Sequence, residues 1–521
     1  MFRAAPALVL FAIATLAPPA TAARAAPRVV LIGADGASWN VIDPLVAAGE
    51  MPHLAALMRA GVHAEMATVE PVNSPTVWTA MATGQPPAVN GISSFVVDER
   101  DVRAPRVFEW LARQGLRVGL YQYLVTWPPR PLPNGFVIPG WLSGGPETAP
   151  ASLAGVFRYD IAELRERRAL HDHSFEELAR KPAAFDRLVR EREPDVAAVS
   201  FYALDNLSHR FWADSFPERF DADAIGPLDP AYAGTVQRAY RAFDAALGTI
   251  LSALPEETAV VLVSDHGFQA HDGPKRRYKF DLGERLAEAV PPGKDYELQG
   301  DFGYLVVRVF PGPFGPREAA SRAVERFLES ITNDAGDPVF WVQPLDVAER
   351  PAGAGRGFVE WAKQGALRLL GRTLGTSLDD HAHGFVVGVP LPALDAAWAG
   401  GHVLVAGERV PIREVAFADS FTGDHFDTAV FVAAGPGIRT LPARSALGVM
   451  DVAPLIAWLA GGQVPEGLAG RLPRHLLDAS ALRARPLETF PADRWPRLPV
   501  LSPDAPDADL DGRLRALGYI D

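Results

Sequence analysis

The 521 residues contain no cysteine. This excludes a disulfide framework and a lipid-anchored lipoprotein. Long apolar runs are scarce as well. The one of note, Ala7 to Ala17, is about half of what a membrane span requires, and nothing else reads as a transmembrane helix. Positive charge is also short: 50 Lys and Arg against 63 Asp and Glu leave a net charge of −13. Such a surface repels polyanions, which argues against a nucleic-acid-binding role. Small phosphate esters stay admissible, because a bound metal ion dominates its local field.

What is present begins with a targeting segment. Met1-Phe2-Arg3 supplies a positive end, the Ala7–Ala17 run follows, and Ala20-Thr21-Ala22 or Ala23-Arg24-Ala25 offers a small-residue cleavage site. Residues 1–25 are expected to be an export signal, and the mature protein periplasmic or secreted. The leader carries two arginines and no acids, so the remainder is more acidic still. With 48% hydrophobic and 22% charged residues the chain is globular in composition, and its length suits a large α/β fold.

Three short β-branched runs read as strands buried on both faces, as in a parallel sheet: Arg28–Ala34, Asp195–Tyr202 and the run that opens the stretch Val260–Phe268. The first ends in Asp35 and the last in Asp265-His266. The middle one leads into Asp205 and His209, four apart and therefore on one face of a helix. Open α/β sheets bind ligands at the carboxyl ends of their strands. Carboxylates and an imidazole gathered at such a buried edge need a counter-ion, and a divalent metal supplies it. Asn73–Gly84 reads as a helix with capping chemistry at Ser74, Pro75 in its first turn and Gly84 at its stop. A hydroxyl there sits in a positive field that suits a phosphate. Neither strand ends nor spacing nominate His425, which precedes its apolar strand.

Further along, residues 130–150 suit a long surface loop. Charged helices at 161–170 and 174–190, with a break near Pro182, place His171 and His173 in an exposed linker. Residues 276–395 change character and suggest an inserted α+β segment, with strands at 303–310 and 339–342, helices at 317–331 and 357–370, and His381 and His383 as non-ligands. The expected division is a signal peptide at 1–25, a catalytic core in two parts (26–275 and 396–480) around that insert, and a Pro- and Asp-rich tail at 481–521.

The order of motifs resembles the alkaline phosphatase superfamily, in particular its type I phosphodiesterase/nucleotide pyrophosphatase branch. The matching pieces are G-A-D-G at 33–36, the Pro52–Gly61 stretch, S-P-T-V-W-T-A-M-A-T-G at 74–84, D-x-x-x-H at 205–209, S-D-H-G-F at 264–268 and G-D-H at 423–425. The resemblance implies a large, mostly parallel sheet sandwiched by helices. It also implies two divalent metal ions, with zinc expected: one held by Asp35, Asp265 and His266, the other by Asp205, His209 and His425. Ser74 takes the place of the nucleophile, with Thr76 as the alternative hydroxyl, and a small phosphate ester would be hydrolysed through a phosphoseryl intermediate. Two departures bear on selectivity. Phe95 stands at the spacing where nucleotide pyrophosphatases have an Asn, and Asn90 replaces the usual His. Rival readings on the same fold are a phosphomonoesterase, a phosphonate hydrolase, a sulfatase and a non-catalytic binding protein. S-P-T-V-W lacks the arginine that formylglycine formation needs, and the ligand set is complete, which disfavours the last two.

Overall fold

The structure is a computed structural model. It describes residues 28–270 (save 94–96, 142, 160–166 and 221–227), 422–494 and 499. Between these it describes 278–280, 296–301, 304–309, 322–323, 326–339, 341–344, 384–388, 400–405, 407–412 and 416–418. The export segment, Phe95, the 357–370 helix, His381, His383 and the end of the tail lie outside the described residues.

The apolar runs build one sheet. Its strands in the first half of the chain are β1 (Val29–Ala34), β2 (Val62–Ala67), β3 (Val118–Tyr123), β4 (Phe136–Pro139), β5 (Val196–Phe201) and β6 (Ala259–Val263). A short β7 (Gly267–Ala270) follows. The middle of the chain forms separate small sheets from β8 (Tyr278–Phe280), β9 (Tyr296–Asp301), β10 (Tyr304–Val309), β11 (Ile331–Thr332), β12 (Trp341–Pro344), β13 (Gly384–Gly388), β14 (His402–Val405), β15 (Glu408–Pro411) and β16 (Ala416–Ala418). Then come β17 (Gly423–Phe426), β18 (Thr428–Ala434) and β19 (Ser445–Gly448).

The eight-stranded sheet has the order β19-β2-β18-β6-β1-β5-β3-β4. Only β18 is antiparallel to its neighbours, β2 and β6; the other pairings are parallel. Every residue of β1, β5 and β6 is buried, which is why these strands read as unbroken apolar runs rather than alternating ones.

Alternate residues of β1 enter two cores, one on each face. Val29 and Leu31 pack with α3 (Ser74–Thr83), α5 (Val107–Arg113) and α9 (Val452–Ala460). Val30, Ile32 and Ala34 pack with α1 (Trp39–Ala47), α2 (Pro52–Ala60), α6 (Arg167–Arg192), α7 (Ala203–Ser215) and α8 (Thr235–Ala253). The result is a helix–sheet–helix sandwich. Among the described residues no helix is long and apolar enough to cross a membrane.

Three expectations are corrected here. Residues 130–150 are not simply a surface loop, because β4 lies inside them, wholly buried at the sheet edge. Proline and glycine at its flanks hid a four-residue strand. The two charged helices are one, α6, which continues through a buried Pro182; packing of Leu178, Phe185 and Leu188 outweighs the lost hydrogen bond. His171 and His173 therefore belong to a helix and not to a linker, and His173 stacks on Tyr159 at 4.9 Å. Phe490, near the start of the Pro- and Asp-rich tail, is part of the core.

The central strand leaves no room at Gly33, where a Cβ would stand 2.6 Å from the Trp78 ring and 2.9 Å from Ser200 Oγ. Gly33→Ala is expected to lower the urea unfolding midpoint by the equivalent of about 1–3 kcal/mol, the usual cost of overpacking.

Candidate metal and nucleophile site

The sheet delivers the site residues from four adjacent strands. Asp35 follows β1, Asp265 and His266 follow β6, and α7, carrying Asp205 and His209, follows β5. Because β18 runs opposite to β6, its beginning lies at the same edge, with Phe431 opposite Val263. The short ribbon of β7 and β17 then sets His425 opposite Phe268. This explains how a histidine that precedes its strand reaches a site built at the ends of the others. Ser74 arrives from the other face of the sheet, at the first turn of α3.

Ser74 is not the helix cap. Asn73 is: its side chain accepts from Thr76 N at 3.0 Å. The Ser74 hydroxyl is thereby free to face the carboxylates, 3.3 Å from Asp35 Oδ1 and 3.4 Å from His266 Nε2. Gly84 ends the helix in the left-handed conformation, as its position suggests. The Thr76 hydroxyl is buried and makes no hydrogen bond.

All three imidazoles are oriented the same way. Nδ1 of His209 lies 3.1 Å from the Gly423 carbonyl, that of His266 3.1 Å from the Gly267 carbonyl and that of His425 2.9 Å from the Val72 carbonyl. A carbonyl can only accept, so each Nδ1 carries a proton, and in the neutral ring each Nε2 turns a lone pair inward. His209 Nε2 and His425 Nε2 are 3.0 Å apart. His266 Nε2 lies 3.2 Å from Asp265 Oδ2 and 3.8 Å from oxygens of both Asp35 and Asp205. Asp205 Oδ1 is 3.5 Å from His209 and 3.6 Å from His425. Phe268, fully buried, wedges its ring against all three imidazoles. His425 is the most open of the six, at 15% side-chain exposure, so approach is from its side.

Lone pairs and carboxylates packed this closely repel unless a cation sits among them, and the donor set of imidazole nitrogen and carboxylate oxygen fits a divalent ion. Two groups of three have donor atoms within 4.8 Å of one another: Asp205, His209 and His425, and Asp35, Asp205 and His266. The sequence reading placed Asp265 in the second group. In the structure Asp205 is the corner common to both, and Asp265 adjoins, with Oδ1 accepting from Gly36 N at 3.1 Å and Oδ2 left without a donor. Gly36 is at φ +67°, and a Cβ there would meet the Phe268 ring at 2.6 Å and the Asp205 Cα at 3.0 Å.

The electrostatics show the strain of the cluster. Burial, then the charges of Asp265 and Asp205, hold Asp35 well above the usual carboxylate range. Burial and Asp205 push Asp265 up to about 7. Burial would raise Asp205 too, but His209 and His425 bring it below its ordinary value. Burial lowers His209 to about 4 and His266 well below normal, whereas Asp205 overcomes the burial of His425 and raises it.

Comparison with known proteins follows this geometry. The family model for type I phosphodiesterase / nucleotide pyrophosphatase matches residues 29–299. The chain belongs to that family. No curated protein sequence matches it. Similar solved structures include murine ectonucleotide pyrophosphatase/phosphodiesterase 5, at TM-score 0.45 and 13% identity, covering 86% of this chain and 100% of that one. The human protein of the same name gives 0.47 and 14%, covering 87% and 100%. An inactive variant of the murine protein, in complex with AMP, gives 0.45 and 14%, covering 84% and 96%. As a member of a metal-dependent phosphodiesterase family, the chain carries Asp and His groups that could hold metal.

Two features of this family member escaped the sequence reading. Trp78 Nε1 donates to Asp35 Oδ2 at 2.8 Å, so that Oδ1 is the oxygen left for Ser74. Its spacing of four from Ser74 on α3 was the available signal. Asn90, at the family's histidine position, is used within its loop: it donates to Gln85 O and accepts from Ile92 N. Trp78→Phe removes the indole donor and is expected to weaken zinc affinity by about 10–100-fold, as loss of a ligand's supporting hydrogen bond does. Zinc titration of the metal-free variant against wild type measures this.

Proposed function

We propose that this protein is an exported phosphodiester or pyrophosphate hydrolase with two metal ions, zinc the expected species, and Ser74 as its nucleophile. The observation that carries the proposal is the set of three Nδ1-tethered imidazoles aimed, with three aspartates, at the space beside Ser74 Oγ. Export rests on the positive, apolar and small-residue order of residues 1–25.

Asp205, His209 and His425 would hold one ion, and Asp35 and His266, with Asp265 or Asp205, the other. When bound, such a pair supplies Lewis-acid charge to phosphoryl oxygens and lowers the pKa of an adjoining hydroxyl or water. The chain's own part is positional. Asn73 takes over the cap and releases the Ser74 side chain. The Ser74 hydroxyl donates a hydrogen bond to Asp35 Oδ1, which turns an Oγ lone pair toward the phosphorus, and its proton passes to solvent as Oγ attacks. Attack forms the Oγ–P bond and breaks the ester P–O bond, and the departing oxygen leaves as an alcohol or a phosphate. Water then cleaves the phosphoseryl ester and restores the hydroxyl. The positive end of α3 favours the phosphoryl group throughout.

Protein purified without chelator is expected to carry about two zinc ions per chain and to hydrolyse bis-p-nitrophenyl phosphate. Ser74→Ala should abolish turnover and keep the metal. Retained turnover in Ser74→Ala with loss in Thr76→Ala would move the nucleophile to Thr76. Bound metal with no turnover of any phosphate ester would overturn the hydrolase reading. Chelation should also lower the melting temperature, and returning zinc should restore it, because a ligand of the folded state stabilises it by RT ln(1 + [L]/Kd).

A further inference from the structure

Among the described residues outside the site, one acid–base pair of side chains is buried completely. Glu177 and Lys181, one turn apart on α6, have no exposed side-chain surface and form an ion pair. Replacing such a pair by apolar residues is often neutral or stabilising, so stability alone does not account for it. Its contacts lead to α7. That helix has no side-chain cap of its own, since its N-cap residue is Tyr202. Glu177 supplies the cap from another element: it accepts from Tyr202 N at 3.0 Å and from Ala203 N at 2.7 Å. Lys181 Nζ donates to Glu177 and, at 2.7 Å, to the carbonyl of Ser200 in β5. Four aromatic rings, Tyr121, Tyr159, Phe201 and Tyr202, surround the ammonium at 5.2–5.8 Å. The pair thus bridges the last residues of β5 and the first of α7.

Asp205 stands in the first turn of α7, two residues beyond the capped Ala203, and it is the corner common to both metal groups. The far end of α7 is also tied to α6, where Arg167 donates to the Arg210 carbonyl at 3.2 Å and pairs with Asp214. A small shift of the first turn would displace Asp205 from both groups at once.

We infer that the buried Glu177–Lys181 pair is a positioning device for the metal centre: it fixes the β5–α7 junction and thereby holds Asp205 in place. The inference rests on the two-metal reading of the site and adds the residues that hold Asp205 in register. Glu177 and Lys181 touch neither substrate nor metal; they act through Asp205.

The test compares two double variants of the full-length mature protein. Glu177→Leu/Lys181→Met removes charge and cap together, while Glu177→Gln/Lys181→Met removes the charge and keeps an acceptor oxygen for the helix N–H groups. Zinc affinity of the metal-free proteins is measured by competition with a chromophoric chelator, beside the melting temperature and kcat. The leucine variant is expected to melt within a few degrees of wild type yet bind zinc about 10–100-fold more weakly, with kcat reduced. The glutamine variant should regain most of that affinity. Should the leucine variant not fold, the glutamine variant decides alone: its single neutral acceptor should still cost about threefold in zinc affinity. Wild-type affinity in whichever variant decides overturns the inference and leaves the two-metal reading intact. A wild-type protein that binds no zinc overturns both.

Discussion

A neutral imidazole whose Nδ1–H is tied to a backbone carbonyl presents a lone pair at its other nitrogen, and this constraint organises the site. It applies three times, at His209, His266 and His425. The carbonyls come from β17 for His209, from the adjoining residue at the start of β7 for His266, and from the segment just before α3 for His425. The last contact matters most, because Val72 lies two residues from Ser74. The same hydrogen bond that holds the ring of His425 also sets the helix bearing Ser74 against the ribbon bearing His425.

The fold makes this convergence cheap. Carboxyl ends of parallel neighbours lie at one edge by construction, so Asp35, Asp205 and Asp265 need only short extensions from β1, β5 and β6 to meet. The reversed strand β18 adds what a purely parallel sheet could not, a chain that enters the edge from outside and brings His425 with it. Close approach supports the arrangement: Gly33 admits the Trp78 ring, and Gly36 turns the chain with its N–H toward Asp265.

How much of this could be read beforehand follows from which interactions are local. Strands buried on both faces are legible because both faces demand apolar residues, and the acids at their ends stand out against that background. Asp205 and His209 are legible from a spacing of four. The place of His425 is not, because the direction of β18 depends on partners far away in sequence; only family resemblance nominated it. Which of Asn73 and Ser74 caps α3 is not legible, since the two have the same local chemistry and only the three-dimensional site decides which hydroxyl or amide must be free. Proline at 182 misled for a related reason, as a break is its isolated preference and the apolar packing of α6 overrides it. By spacing alone, Glu177 and Lys181 cannot be told from an ordinary solvated i, i+4 pair. That they are fully buried depends on a ring of aromatics from β3, β5 and Tyr159, which no window of sequence contains.

The electrostatics tie folding to metal. Two of the three aspartates are pushed upward by burial and by one another, while the imidazoles other than His425 are held neutral by burial. A chain that folds this way accepts repulsion at its centre, and the two apolar cores on either side of the sheet must outweigh it. A divalent ion reverses the sign of that term, because the ionised carboxylates and neutral imidazoles that are costly together become the ligand set it prefers. The energy of binding then enters the stability of the fold directly. Residues such as Trp78 and the Glu177–Lys181 pair hold the ligands in place beforehand, so that less of that energy goes into ordering them.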